Sequence, residues 1–263
     1  MPKAKVNGVN LYYEEQGSGT PVLMLHGFAG TTRMWDPQVK PFSQKYRFIT
    51  CDMRGHGQSE SPGNLSQYAT DLVVEDQHQL LRHLGITKAV IGGLSVGGFV
   101  TLKFYEAHPE MCVALILCDT GPGYRTPEAA AGWNKICVER AGVLEKGGIE
   151  AFMKSEFSRS DYYTTPEVMR KHNPKGLALF SRGAMVNPAA VHVLEQIKVP
   201  TLILVGDGDQ PFLFSSEYMQ KRIPNSELVV IKNAGHGSNV DQPQKFNDAI
   251  LTFLERSGIK PRQ

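Results

Sequence analysis

Short apolar runs alternate along this chain with longer segments whose apolar residues recur every three to four positions. The N-terminus is different. Val6 and Val9 flank Asn7-Gly8, and alternation continues through Leu11, Tyr12 and Tyr13, which predicts an antiparallel hairpin with Asn7-Gly8 in its turn. Residues 21–25 and 46–51 are strand-length apolar runs that stop at His26-Gly27 and at Asp52. Residues 68–84 carry Leu72, Val73, Leu80, Leu81 and Leu84 near helical spacing, with Gly85 at the stop position, and a strand restarts at 88–91. A helix over 96–108, stopped by Pro109, and a strand over 113–118 repeat the pattern. Strand followed by helix followed by strand is the signature of a parallel sheet with crossover helices.

The alternation resumes late, with strands predicted at 201–205 and 228–231 and helices at 214–222 and 243–256. Between the two halves, residues 121–198 show helical patches at 129–144, 149–157, 177–185 and 189–197 and no strand pattern. The expected architecture is therefore α/β: a mostly parallel, doubly wound sheet whose core domain comprises residues 1–120 and 199–263, with a helical cap inserted at 121–198.

Composition narrows the class. With 263 residues, 41% hydrophobic and 21% charged, the chain has enough apolar material for one large core and none of the bias of disordered or fibrous sequences. A net charge of +2 offers no basic excess to favour nucleic acid or an anionic membrane. No apolar run approaches the roughly 18 to 20 residues of a membrane span. The segment Met1-Pro2-Lys3-Ala4-Lys5 leads into Asn7-Gly8 with no apolar stretch behind it, so no secretory signal is expected. Cys51, Cys112, Cys118 and Cys137 have no C-x-x-C spacing and are expected as reduced, buried thiols, which suits the cytoplasm.

The strongest chemical signal is Gly93-Leu94-Ser95-Val96-Gly97-Gly98, a G-x-S-x-G between a predicted strand and a predicted helix. A serine in so sharp a turn needs small neighbours for the chain to pass, and the helix after it aims N–H groups at the site. Serine is a weak nucleophile until a base takes its proton, so a histidine and an orienting carboxylate should stand at later strand ends. Val205-Gly206-Asp207-Gly208-Asp209 supplies two carboxylates and Asn233-Ala234-Gly235-His236-Gly237 a histidine. Asp119, ending the strand after the nucleophile helix, is a third candidate acid. None of His78, His83, His108, His172 and His192 has metal-ligand spacing, so no metal is expected, and no complete nucleotide-binding glycine motif occurs.

With the order Ser, Asp, His along the chain, with His26-Gly27-Phe28 after an early strand and with the Asp52-Met53-Arg54-Gly55-His56-Gly57-Gln58-Ser59 turn after the next, the sequence resembles the α/β-hydrolase superfamily. The resemblance covers nearly the whole chain. It implies Ser95 as nucleophile, His236 as base and then acid, and Asp209, ahead of Gln210-Pro211-Phe212, as the orienting carboxylate in preference to Asp207. The implied oxyanion hole is backbone, from the N–H groups of Phe28 and Val96. By the same resemblance His26 braces a loop, and His56 belongs to a turn held by local pairing of Arg54 with Asp52. No cofactor is implied.

Within that superfamily a serine at the elbow disfavours the relatives that use aspartate there. The chain looks most like carboxylesterases, enol-lactonases and cofactor-free haloperoxidases or perhydrolases. The leading expectation is hydrolysis of a small to medium, largely apolar ester or lactone. Perhydrolysis, carbon–carbon bond hydrolysis and a non-catalytic small-molecule receptor are the alternatives. Met153, Met169, Met185, Trp133, Phe152, Phe157 and Phe180 either line an apolar pocket or pack the cap helices together.

Overall fold

In a computed structural model of the chain, described over residues 3–158 and 165–262, eight strands form one sheet. They are β1 (Lys3–Val6), β2 (Val9–Gln16), β3 (Pro21–Leu25), β4 (Arg47–Cys51), β5 (Ala89–Leu94), β6 (Cys112–Cys118), β7 (Thr201–Gly206) and β8 (Ser226–Ile231). The spatial order is β1-β2-β4-β3-β5-β6-β7-β8. Strand β2 runs antiparallel to both β1 and β4, and every later pairing is parallel. The predicted hairpin forms: Val6 pairs with Val9 across Asn7 (φ 45°) and Gly8 (φ 77°), two left-handed residues in succession, as a tight hairpin turn requires.

Side-chain alternation divides the core in two. Leu23, Leu25, Ile49, Ile91, Leu115 and Leu117 face one side, where they meet α2 (Thr70–His83) and α3 (Val96–Ala107). Val22, Met24, Phe48, Val90, Ile116 and Leu204 face the other, where they meet α1 (Asp36–Ser43) and the closing helix at Pro243–Arg256. Burial on both faces is what makes the central strands read as continuous apolar runs.

Between β6 and β7 the chain is helical: α4 (Pro127–Met153), α5 (Pro166–Met169) and α6 (Pro174–Gly183). Helix α4 turns sharply at Gly148 (φ 64°, ψ −160°) and so covers most of two predicted patches. It stops at Met153, short of the predicted 157. The patch at 189–197 is a 3-10 turn, Val191–Gln196, preceded by a single bridge between Gly123 and Ala189. Cys137, Leu144, Phe152, Leu177 and Phe180 from this segment join the same apolar cluster as the α2 and α3 side of the sheet. The later helices are α7 (Gln210–Gln220), α8 (Ser238–Asp241) and α9 (Pro243–Arg256). Helix α7 starts four residues before the predicted 214, because Pro211 takes up the first turn, where its missing N–H costs nothing.

The chain leaves β3 for β4 on one side and returns to β5 on the other, while β3 and β5 pair directly. Their carboxyl ends therefore flank the point where the winding reverses, the place where open α/β sheets bind ligands.

Candidate active site

Ser95 follows β5 at that point and adopts φ 57°, ψ −120°, a backbone conformation that costs a non-glycine residue about 1–3 kcal/mol. The surroundings hold it there. Its N–H donates to the Cys118 carbonyl at 2.9 Å, and its own carbonyl accepts the Thr120 hydroxyl at 2.6 Å. A Cβ on Gly93 would lie 2.4 Å from the Gly97 backbone, and one on Gly97 would lie 2.3 Å from the Leu25 carbonyl oxygen. The two glycines are therefore required by close approach of backbone to backbone.

Ser95 and Val96 open onto a cavity of about 170 Å³ lined largely by apolar groups, among them Phe99, Trp133, Met185, Pro188 and Phe212. That is close to the volume of about 150 Å³ at which an apolar protein cavity accepts benzene. Of the seven insertion residues expected either to line a pocket or to pack, Trp133 and Met185 line it. Met169, Phe152 and Phe180 are buried in the core, and Met153 and Phe157 pack against it half-buried. Thr120 lines the same cavity and fastens the elbow; no motif marked it in the sequence.

The three candidate acids separate clearly. Asp209 Oδ2 lies 2.7 Å from His236 Nδ1, with both side chains mostly buried (8% and 13% exposed). The Phe212 ring stacks on the imidazole, 4.9 Å between centroids. Asp207 turns away: its Oδ1 accepts the N–H groups of Asn233 and Ala234 at 2.9 and 3.3 Å. Asp119 is fully buried and bonds to Gly206 and Ser238.

The loop after β3 is braced by buried histidines. His26 Nδ1–H donates to the Gly27 carbonyl at 2.7 Å, and Nε2 accepts the Met53 N–H at 2.9 Å. His172, from the insertion, donates to the Ala29 carbonyl and accepts the Gly57 N–H, each at 3.0 Å. Burial lowers the His26 imidazole to about 3 and that of His172 to about 4, so both are neutral braces near pH 7. The Phe28 ring is buried among Phe152, Phe180 and His56, with the Arg140 guanidinium 4.2 Å above it.

One local pairing is corrected. Arg54 does not pair with Asp52; its Nε and Nη2 bind Asp76 on α2 in a buried bidentate bridge. Asp52 instead accepts the N–H groups of Thr32 and Gln58, at 2.8 and 2.7 Å, and burial pushes its carboxyl up to about 6. The fork geometry of a guanidinium favours a helix carboxylate that meets it edge-on over one two residues away on the same strand end.

Glu75, His78 and His108 also come together, their donor atoms within 4.8 Å of one another. The two imidazoles stack 3.9 Å apart at 22°, with His78 Nδ1 and His108 Nε2 lying 3.2 and 3.6 Å from the same Glu75 oxygen, Oε2. All four cysteines are buried free thiols. Among the described residues no helix is long and apolar enough to cross a membrane.

Residues 20–243 match the family model of the alpha/beta hydrolase fold, and the chain belongs to that family. It is 29% identical to a 3-oxoadipate enol-lactonase of Acinetobacter baylyi over 89% of each chain. It is 28% identical to a Bacillus subtilis protein provisionally named 2-succinyl-6-hydroxy-2,4-cyclohexadiene-1-carboxylate synthase, over 94% of this chain and 96% of that one. Among solved structures it is similar to a thermophilic esterase from Thermogutta terrifontis, with TM-score 0.86, 29% identity, and coverage of 98% of this chain and 99% of that one.

Proposed function

We propose that the protein is a serine hydrolase that cleaves small to medium, largely apolar carboxylic esters or lactones through an acyl-enzyme on Ser95. The observation that carries this reading is the strained serine facing an apolar cavity at the sheet's switch point, in a fold whose histidine is bound to a buried carboxylate. The enol-lactonase and esterase relatives support the reaction class.

His236 Nε2 takes the proton of Ser95 Oγ as the hydroxyl attacks the carbonyl carbon. Asp209 Oδ2 accepts a hydrogen bond from His236 Nδ1–H, 2.7 Å between the heavy atoms, which fixes the tautomer and offsets the imidazolium charge as it forms. The oxyanion is received by the N–H of Val96, in the first turn of α3 where helix donors lack partners within the helix, and by the N–H of Phe28. His236 then protonates the leaving alcohol or ring oxygen, and water activated by the same imidazole releases the acid. Residues 121–198 act as a cap: Trp133 and Met185 bound the acyl group and limit its length.

The test is a fluorophosphonate probe with a panel of p-nitrophenyl esters, acetate to decanoate, and several lactones, run beside Ser95→Ala. Labelling and turnover should both vanish in the variant, with the optimum at short chains. A folded protein that shows neither labelling nor turnover would overturn the assignment.

A further inference from the structure

Asp119 takes no part in the steps above. It is fully buried, follows β6 directly, and holds a left-handed backbone (φ 44°) with its N–H donating to the Leu204 carbonyl at 2.8 Å. Its two carboxyl oxygens go to different loops. Oδ1 accepts the N–H of Gly206 at 2.9 Å, three residues before Asp209. Oδ2 accepts the hydroxyl of Ser238, itself fully buried and two residues after His236. The titratable groups facing the carboxyl are His236, Asp209 and the neighbouring Cys118 thiol. Burial pushes the Asp119 carboxyl up to about 7, opposed by His236 and its two hydrogen bonds.

Burying a carboxyl costs stability that an apolar side chain of similar size would not. What this one supplies is a fixed separation between two loops that also meet through backbone contacts, the outer carboxylate Asp207 and the Asp209–His236 pair whose geometry depends on it. We propose that Asp119 is a positioning residue, clasping the loops of Asp209 and His236 from inside so that the imidazole meets its carboxylate and Ser95 together. This rests on the Ser95–His236–Asp209 reading. Asp207 ties the same loops from the surface, but through the Asn233 and Ala234 N–H groups, on the far side of His236 from Ser238.

The experiment compares Asp119→Asn, Ser238→Ala and Asp207→Asn with wild type and Ser95→Ala. It reads kcat and KM for p-nitrophenyl butyrate from pH 5 to 9, with kcat expressed per fluorophosphonate-titrated site, and thermal melts alongside. Asparagine keeps an acceptor for the Gly206 N–H and removes the charge. Ser238→Ala removes a single hydroxyl and serves if the Asp119 variant does not fold. Both should lose about 10- to 100-fold in kcat per site, the cost of a small misplacement of reacting groups, with KM within about twofold. Asp207→Asn should stay within about twofold of wild type. Wild-type kcat per site in the folded inner variants would overturn the proposal, as would a loss equalled by Asp207→Asn. Turnover that survives Ser95→Ala would instead overturn the underlying triad.

Discussion

At the carboxyl ends of the strands, backbone lies against backbone: a Cβ on Gly97 would sit 2.3 Å from the Leu25 oxygen, and one on Gly206 would sit 2.3 Å from the Gly235 oxygen. Among the described residues of 121–198, side chains make the contacts around the cavity, Trp133 Nε1 donating to the Met185 carbonyl at 2.6 Å and the Arg140 guanidinium lying over Phe28 and Trp133, while close backbone approach recurs at Gly123, where a Cβ would sit 2.0 Å from the Pro188 oxygen. Backbone contacts tolerate one residue type and fix atoms to fractions of an ångström. Side-chain packing tolerates many substitutions and sets only volume and polarity. On the proposed function, the first region defines the reaction and the second defines what fits it.

The sharpest way to break that division is Ser95→Ala, which should reduce ester turnover by about 10⁵-fold or more while the melting temperature holds or rises. Retained turnover would detach the chemistry from the strand ends. Next in size, Asp209→Asn should lose about 10³- to 10⁴-fold in kcat, and the loss should far exceed that of Asp207→Asn. The reverse ranking would move the acid to the outer carboxylate.

In the other region the expected effects are on selectivity. Trp133→Ala and Met185→Ala should shift the acyl-length optimum upward, raising kcat/KM for hexanoate relative to acetate by about tenfold or more, the worth of at least one additional methylene accommodated. An optimum that stays in place would show that the acyl group binds elsewhere. The smallest effect joins the two regions through His172. Its imidazole is neutral down to about pH 4 in the folded protein, whereas the unfolded chain takes the proton near the ordinary value of about 6.5. Its contribution to stability is thus present above about pH 6.5 and declines by about 1.4 kcal/mol per pH unit as the pH falls toward 4. His172→Gln should narrow the difference in melting temperature between pH 7 and pH 5. An unchanged difference would show that His172 carries no share of the acid sensitivity.

The same division governs what could be read from sequence. The Asn7-Gly8 turn, the parallel strands and the glycines around Ser95 were legible because backbone geometry restricts which residues can stand there. Helix α1 escaped notice because Pro37 and Pro41 interrupt its period, although Pro37 falls in the first turn where it is tolerated. The segment 189–197 has helical spacing but forms a 3-10 turn, since its apolar residues Val193, Leu194 and Ile197 suit either geometry over so short a span. The Arg54–Asp76 bridge joins residues 22 apart in the chain, and the Asp119–Ser238 bond joins residues 119 apart. No local pattern encodes such pairs. Which insertion residues face the cavity was equally hidden, because Trp133 and Phe152 lie on the same helix element with the same apolar character and only the turn at Gly148 separates their surroundings.

The contact of Gly206 with the Ala234 and Gly235 carbonyls bears on how this scaffold can be re-engineered. With Gly208 N–H also donating to the Ala234 oxygen, the stretch carrying Asp209 and the stretch carrying His236 are moulded to each other's main chain. Neither can be exchanged alone with a homologue's loop. On the proposed function, a working chimera has to transplant residues 206–209 and 233–238 as one block, together with the aspartate at 119 that reaches both, whereas segments of 121–198 are the ones to swap for a change in substrate preference.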